Sequence, residues 1–220
     1  MSSFTLYNYV LSGNCYKIRL MAALLGVPYE TVAVDFYPGR AHLSEPMLAL
    51  NPAGTLPILT TGDLVLTETQ AMLAWLARAH DPSGAWYPTE AEAHAQVLQV
   101  LGIASRLTTS VGLARLNAML DWPCDVDAVY AAARKDLDAF EMLLTDRVFA
   151  GRTWLVGDHP TIADIACFPY VALSPDAGFE HDGRPAIRNW LYAVRGLPGF
   201  VTMPGIHYLH ELDEDGGADG

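Results

Sequence analysis

The spacing of apolar residues in this chain changes its period once, at the linker that runs from Asp81-Pro-Ser-Gly84 to Pro88. Before that point short β-like runs alternate with helical ones; after it every apolar repeat is helical. Phe4 to Tyr9 has strand composition, and Val10 to Asn14 is a short polar turn containing Gly13. From Cys15 the pattern is helical, with Ile18, Met21, Ala22 and Leu25 on one face. Gly26 ends it and Pro28 prevents its resumption. Tyr29 to Val34 alternates as a second strand, and residues 35 to 52 read as a loop holding a short helix over Ser44 to Leu50. Leu56 to Leu59 and Leu64 to Leu66 are short strands joined by the turn Thr60-Thr-Gly-Asp63. Thr67 is placed to cap a helix from Glu68 to about Ala79. The order βαβ then ββα predicts a small α/β sheet domain over residues 1–80, with a linker over 81–89.

The rest predicts an all-α domain over 90–210. Glu90 to Leu120 and Val126 to Leu144 read as long helices separated by Pro123. Thr161 to Leu173 is apolar nearly all round and so belongs in the centre. Pro185 to Arg195 is closed by Gly196-Leu-Pro-Gly199. Residues 211–220 hold five acids and three glycines, which predicts a flexible tail.

Charge narrows the partners. Thirteen basic residues face 25 acidic ones, a net charge of −12, and a nucleic-acid binder would show the opposite balance. We expect no membrane span, no N-terminal targeting segment and a cytoplasmic protein. Cys15, Cys124 and Cys167 form no C-x-x-C pair and the histidines are scattered, so no metal is expected.

Three places could carry chemistry. Pro57 opens a strand, where a cis bond would turn the Leu56 backbone outward for a peptide-like ligand; a trans proline is the ordinary alternative. Glu68-Thr69 opens a helix, whose free N–H groups attract an anion while Glu68 can take an ammonium group. Together they suit an α-amino acid end, although the same residues can serve only as caps. Ser12-Gly-Asn-Cys15 sets a hydroxyl, an amide and a thiol at the start of the first helix, a position that stabilises a thiolate. Lys17 would add positive charge nearby, and each of these residues can equally be a cap, a core thiol or a solvated cation.

In combination these segments resemble the cytosolic glutathione transferase superfamily. Leu11-Ser-Gly-Asn-Cys-Tyr-Lys-Ile-Arg-Leu20 is similar to the first turn and helix of its serine- and cysteine-type members. Asn51-Pro-Ala-Gly-Thr-Leu-Pro-Ile58 resembles the segment around the family's cis-proline, and Leu66-Thr-Glu-Thr-Gln-Ala71 the acidic-then-serine pair, with Thr69 in place of serine. Thr161-Ile-Ala-Asp164 resembles the capping box of the central helix in the second domain.

The resemblance implies a thioredoxin-like N-terminal domain that binds glutathione and an all-helical domain that binds a small hydrophobic electrophile. Leu56, Pro57, Glu68 and Thr69 would hold the tripeptide, with Arg40, His42 and Asn51 as candidates for its glycyl carboxylate. It aligns Ser12 with the catalytic serine or cysteine, ahead of Asn14 and Cys15. Tyr9, Arg106, Leu107, Ser110 and Leu113 are candidates for the electrophile's side. A homodimer through Trp75, Arg78 and the long helices is implied. A glutathione-dependent reductase, dehalogenase or isomerase on the same fold is the alternative, and a non-catalytic binding protein a further one.

Overall fold

The computed structural model describes residues 3–214. Its sheet has the order β2-β1-β3-β4, built from β1 (Thr5–Asn8), β2 (Glu30–Ala33), β3 (Ile58–Thr61) and β4 (Leu64–Leu66). β2 runs parallel to β1, whereas β3 is antiparallel to both β1 and β4. The parallel pair is joined through α1 (Gly13–Leu24), the crossover a parallel connection requires. α2 (Glu45–Leu50) follows a 3-10 turn at Ala41–Leu43, and α3 (Thr69–His80) follows β4. Two details differ from expectation. The N-cap of α3 is Glu68 rather than Thr67, and no side chain caps it. Tyr37–Pro38 is cis, which no sequence signal marked, whereas the cis Leu56–Pro57 bond agrees with the family resemblance.

The second half contains α4 (Ala91–Thr109), α5 (Val111–Leu120), α6 (Val126–Phe149), α7 (Ile162–Ala172), α8 (Pro185–Arg195) and α9 (Leu209–Glu214). The single helix expected from Glu90 to Leu120 is broken at Ser110, whose ψ of −76° departs from helical geometry. The Ser110 hydroxyl lies 2.7 Å from the Asp136 carboxylate and 2.9 Å from the Arg106 carbonyl. A serine that bonds back onto the preceding turn bends a helix, which is the physical reason for the break. α6 runs five residues past its expected end.

α7 is buried along its whole length, as its all-round apolar sequence predicts. Its capping box is present: Asp164 accepts from the Thr161 N–H at 2.9 Å, and the Thr161 hydroxyl accepts from Ala163. Asp164 also accepts from the Leu155 N–H and the Trp190 indole, so it ties α7 to α8 and the preceding loop. One hydrophobic cluster runs from Phe4 and Leu6 through α1, α3, α4 and α7 to Trp190 and Val194. Ala91–Leu120 is, by length and composition alone, apolar enough to cross a membrane, with mean hydropathy of 1.3 in its most apolar window. Half of that window is buried within the fold, where Val97, Leu101 and Ala104 belong to the central cluster. Residues 211–214 of the expected flexible tail lie in α9, and 215–220 lie outside the described residues.

Candidate functional site

A cavity of about 500 Å³ lies between the sheet domain and the helices. Tyr9, Ser12 and Asn14 line it from the β1–α1 turn, and Arg40, His42 and Leu56 from the loops that precede β3. The helical wall contributes α5, Trp122 and Tyr170.

Ser12 is the N-cap of α1, and its oxygen accepts from the Cys15 N–H at 3.2 Å. A hydroxyl that accepts in this way keeps its proton available to donate. Asn14 also lines the cavity, and its Oδ1 is buried without a hydrogen-bond partner among the described residues. Cys15 faces away: it is fully buried, and its Sγ accepts from the Tyr9 N–H at 3.4 Å. Burial pushes its thiol pKa up, against the smaller opposing effect of Ser12.

Lys17 adds no charge at the cavity surface. It is fully buried, bonds the Thr108 hydroxyl at 3.2 Å and lies over the Tyr170 ring. Desolvation lowers its pKa to about 8.

β3 and β4 bring two of the sequence segments together. Their register pairs Leu59 with Leu66, so the segment before β3, with Leu56 and Pro57, and the segment after β4, with Glu68 and Thr69, leave the sheet at the same end. Leu56 lines the cavity, while Pro57, Glu68 and Thr69 lie outside its lining. Glu68 is exposed, and the uncapped N-terminus of α3 begins beside it. Thr69 is buried, its hydroxyl 2.9 Å from Gln70 Oε1, and Gln70 in turn donates to Ser105 of α4.

The three carboxylate candidates separate. Arg40 is exposed at the cavity rim, and His42 is buried beside it with Nδ1 unpartnered. Burial, then the Arg40 charge, lower the His42 pKa, which favours the neutral ring. Asn51 does not line the cavity. Its Nδ2 donates to Thr55 O at 2.9 Å and its Oδ1 accepts from the Ala53 N–H, so its amide shapes the loop.

The Tyr9 ring of the sheet domain contacts Phe36, and Phe36 stacks on Trp122 of the helical wall with centroids 5.5 Å apart. Arg106 and Ser110, expected to face the electrophile, lie outside the cavity lining. The Ser110 side chain is buried against Asp136 because the helix breaks there, and Arg106 precedes the break.

Residues 6–84 match the family model described as glutathione S-transferase, N-terminal domain, and residues 125–192 match glutathione S-transferase, C-terminal domain. Theta-1 glutathione S-transferase of Bos taurus is 30% identical over 92% of this chain and 86% of its own. The Homo sapiens theta-1 protein is 28% identical over 88% and 83%. The crystal structure of a glutathione S-transferase from Pseudomonas fluorescens superposes with a TM-score of 0.81 at 33% identity, over 92% of this chain and 99% of that one. This chain belongs to the glutathione S-transferase family. It is a transferase enzyme of two parts, a glutathione S-transferase N-terminal domain and a helical partner.

Phe36, Arg115, Trp122 and Tyr170 are among the lining residues of this transferase that escape sequence reasoning. Each is set by a distant partner. The Tyr170 ring fits between two glycines, where an added Cβ would stand 2.9 Å from it at Gly13 and 2.8 Å at Gly112. Arg115 is buried on α5 and bonds Asp176 through Nε at 2.7 Å and the Leu11 carbonyl through Nη1 at 2.8 Å. An arginine inside an apolar helix repeat is the one local signal that would have found it.

Proposed function

We propose that this transferase binds glutathione and conjugates its thiolate to a small hydrophobic electrophile, with Ser12 as the activating group. The observation that carries this reading is the Ser12 hydroxyl at the cavity wall, bonded as an acceptor so that its proton is free for a sulfur. Glutathione would lie along Leu56, its cysteinyl backbone pairing there as an added strand pairs. Its γ-glutamyl end would reach Glu68, Thr69 and the free N–H groups of α3, where the helix dipole favours a carboxylate. Arg40 and His42 are positioned for the glycyl carboxylate, whereas Asn51 supports the loop. Asn14 assists, because turning its amide aims a donor where Oδ1 now lies unpartnered.

Lowering a thiol pKa by about 2 units raises its thiolate fraction at neutral pH about 25-fold, roughly 2.7 kcal/mol. The accompanying loss of nucleophilicity, about 8-fold, leaves a net gain of about 3-fold. Positioning of both substrates must therefore supply the larger share. Tyr9, Phe36 and Trp122 offer the apolar surface for the electrophile, a role the sequence reading gave to Tyr9 together with Arg106 and Ser110. A homodimer and a cytoplasmic setting complete the proposal; light scattering and cell fractionation test them.

The deciding experiment is calorimetric titration with reduced glutathione, joined to thiolate absorbance of the bound ligand against pH. Wild type is expected to bind. Glu68→Ala should weaken binding, and Ser12→Ala should raise the bound thiol's pKa and lower turnover with little change in affinity. No binding at millimolar glutathione refutes the reading. Loss of activity in Cys15→Ala with Ser12→Ala intact would instead favour a reductase working through a mixed disulfide.

A further inference from the structure

The protein carries 25 acidic residues, yet among the described residues that line the cavity none is Asp or Glu. Its charged lining residues are Arg40 and Arg115, and they come from opposite sides. Arg40 belongs to the loop between β2 and α2, the side assigned above to glutathione. Arg115 belongs to α5, beside Leu116 and Met119 and near the Phe36–Trp122 stack, where the second substrate would lie.

Arg115 is held with unusual completeness for a residue on such a wall. Its relative exposure is 5%. Nε binds Asp176 Oδ2 at 2.7 Å and Nη1 donates to Leu11 O at 2.8 Å. A guanidinium has five N–H groups, so these two bonds leave three without a partner among the described residues. No Arg115 nitrogen is both buried and unpartnered, so its free N–H groups lie where solvent or a ligand can reach them. Asp176 balances the charge formally. However, its side chain is 30% exposed and it is bonded at Nε alone, so water screens it and Nη2 stays available. Planar and fixed at two points beside the cavity, Arg115 has the geometry that carboxylates take in pairs of hydrogen bonds.

Resting on the transferase reading above, we infer that the second substrate is an aromatic or aliphatic electrophile bearing a carboxylate, which Arg115 recognises through its free guanidinium N–H groups. The apolar body packs against Leu116, Met119 and Trp122, while the anion selects its orientation. In the conjugation itself the glutathione sulfur forms a bond to the electrophilic carbon as that carbon's bond to its leaving group breaks. The carboxylate takes no part in the bond changes.

The test compares 4-(chloromethyl)benzoate with 4-(chloromethyl)benzamide at saturating glutathione, each rate divided by its uncatalysed rate. Wild type should prefer the carboxylate in kcat/KM by about 10-fold or more, the range of a charged hydrogen-bonded pair. Arg115→Met should bring that ratio near one, and Arg115→Lys should keep part of it. A merely structural role through Leu11 would lower both rates alike and leave the ratio unchanged, which overturns the inference. Should Arg115→Met not fold, wild type alone decides: S-(4-carboxybenzyl)glutathione should bind about 10-fold tighter than S-(4-carbamoylbenzyl)glutathione in calorimetry. Equal affinities overturn the inference while leaving the glutathione reading intact. Absence of binding by glutathione itself defeats both.

Discussion

The Lys17 ammonium lies 4.9 Å from the centroid of the Tyr170 ring, inside the interface between the sheet domain and the helical bundle. Its hydrogen-bond partner is the Thr108 hydroxyl, and Cys167 is a group whose charge would favour the ammonium. Burial raises the Cys167 and Tyr170 pKa values, so both partners stay neutral where Lys17 titrates. A cation is thus held by a ring face and a hydroxyl, without a carboxylate.

That arrangement makes stability depend on pH in a definite direction. The folded-state pKa of Lys17, about 8, lies below its ordinary 10.5, so between these values the unfolded chain binds more protons. The cost of burying the charge is full below pH 8 and fades as pH rises towards 10.5. Lys17→Met should therefore be more stable than wild type at pH 6.5, by about 2–3 kcal/mol. The gap should narrow by about 1 kcal/mol at pH 9. Urea titrations at both pH values check this; a constant gap would show that Lys17 is not titrating in the folded protein.

Asp164 serves the Thr161, Leu155 and Trp190 donors at once in a fully buried setting. Asp164→Ala strands those donors and should cost about 3–5 kcal/mol. Asp164→Asn keeps one acceptor oxygen and should cost less. Equal midpoints for the two variants in denaturant would mean that the hydrogen bonds do not carry the effect.

Gly112→Ala should cost about 1–3 kcal/mol, because its methyl would meet a ring already backed by Gly13 and unable to retreat. The cost should nearly vanish in a Tyr170→Ala background. Thermal unfolding of the four proteins closes that cycle, and persistence of the full cost would point to the backbone of α5 instead.

Phe36 and Trp122 join the two halves of the chain across the cavity mouth. Leucine substitutions in a double-mutant cycle should give a coupling of about 0.5–1.5 kcal/mol in stability. Additive effects would leave the stack without energetic meaning.

How far the sequence could be read follows the range of each interaction. The Thr161–Asp164 box spans three residues and was visible, as were the ends of α8, fixed by Pro185 and Gly196. The cis state of Pro57 has no local signature and came only with the family resemblance. The break at Ser110 was hidden because no proline marks it and the second partner of its hydroxyl, Asp136, lies 26 residues away. Arg115 and Tyr170 were hidden for the same reason, their partners being 104 residues off at Leu11 and on two separate helices at Gly13 and Gly112. The N-terminal half of the site was thus legible, because it is built from turns and caps. The helical wall was not, because packing between distant elements decides which faces line it.

The contacts of Arg115 with Leu11 and of Tyr170 with Gly13 bear on how such a chain can change over evolutionary time. The turn before Ser12 is shaped partly by residues encoded more than a hundred positions downstream. A chimera that grafts residues 1–80 onto a relative's bundle would keep Ser12 but would part its turn from this chain's own Arg115 and Tyr170. Recombination at the linker should therefore produce folded but poorly aligned hybrids unless the crossover carries positions 112, 115 and 170 with it. The two domains are heritable as a matched pair.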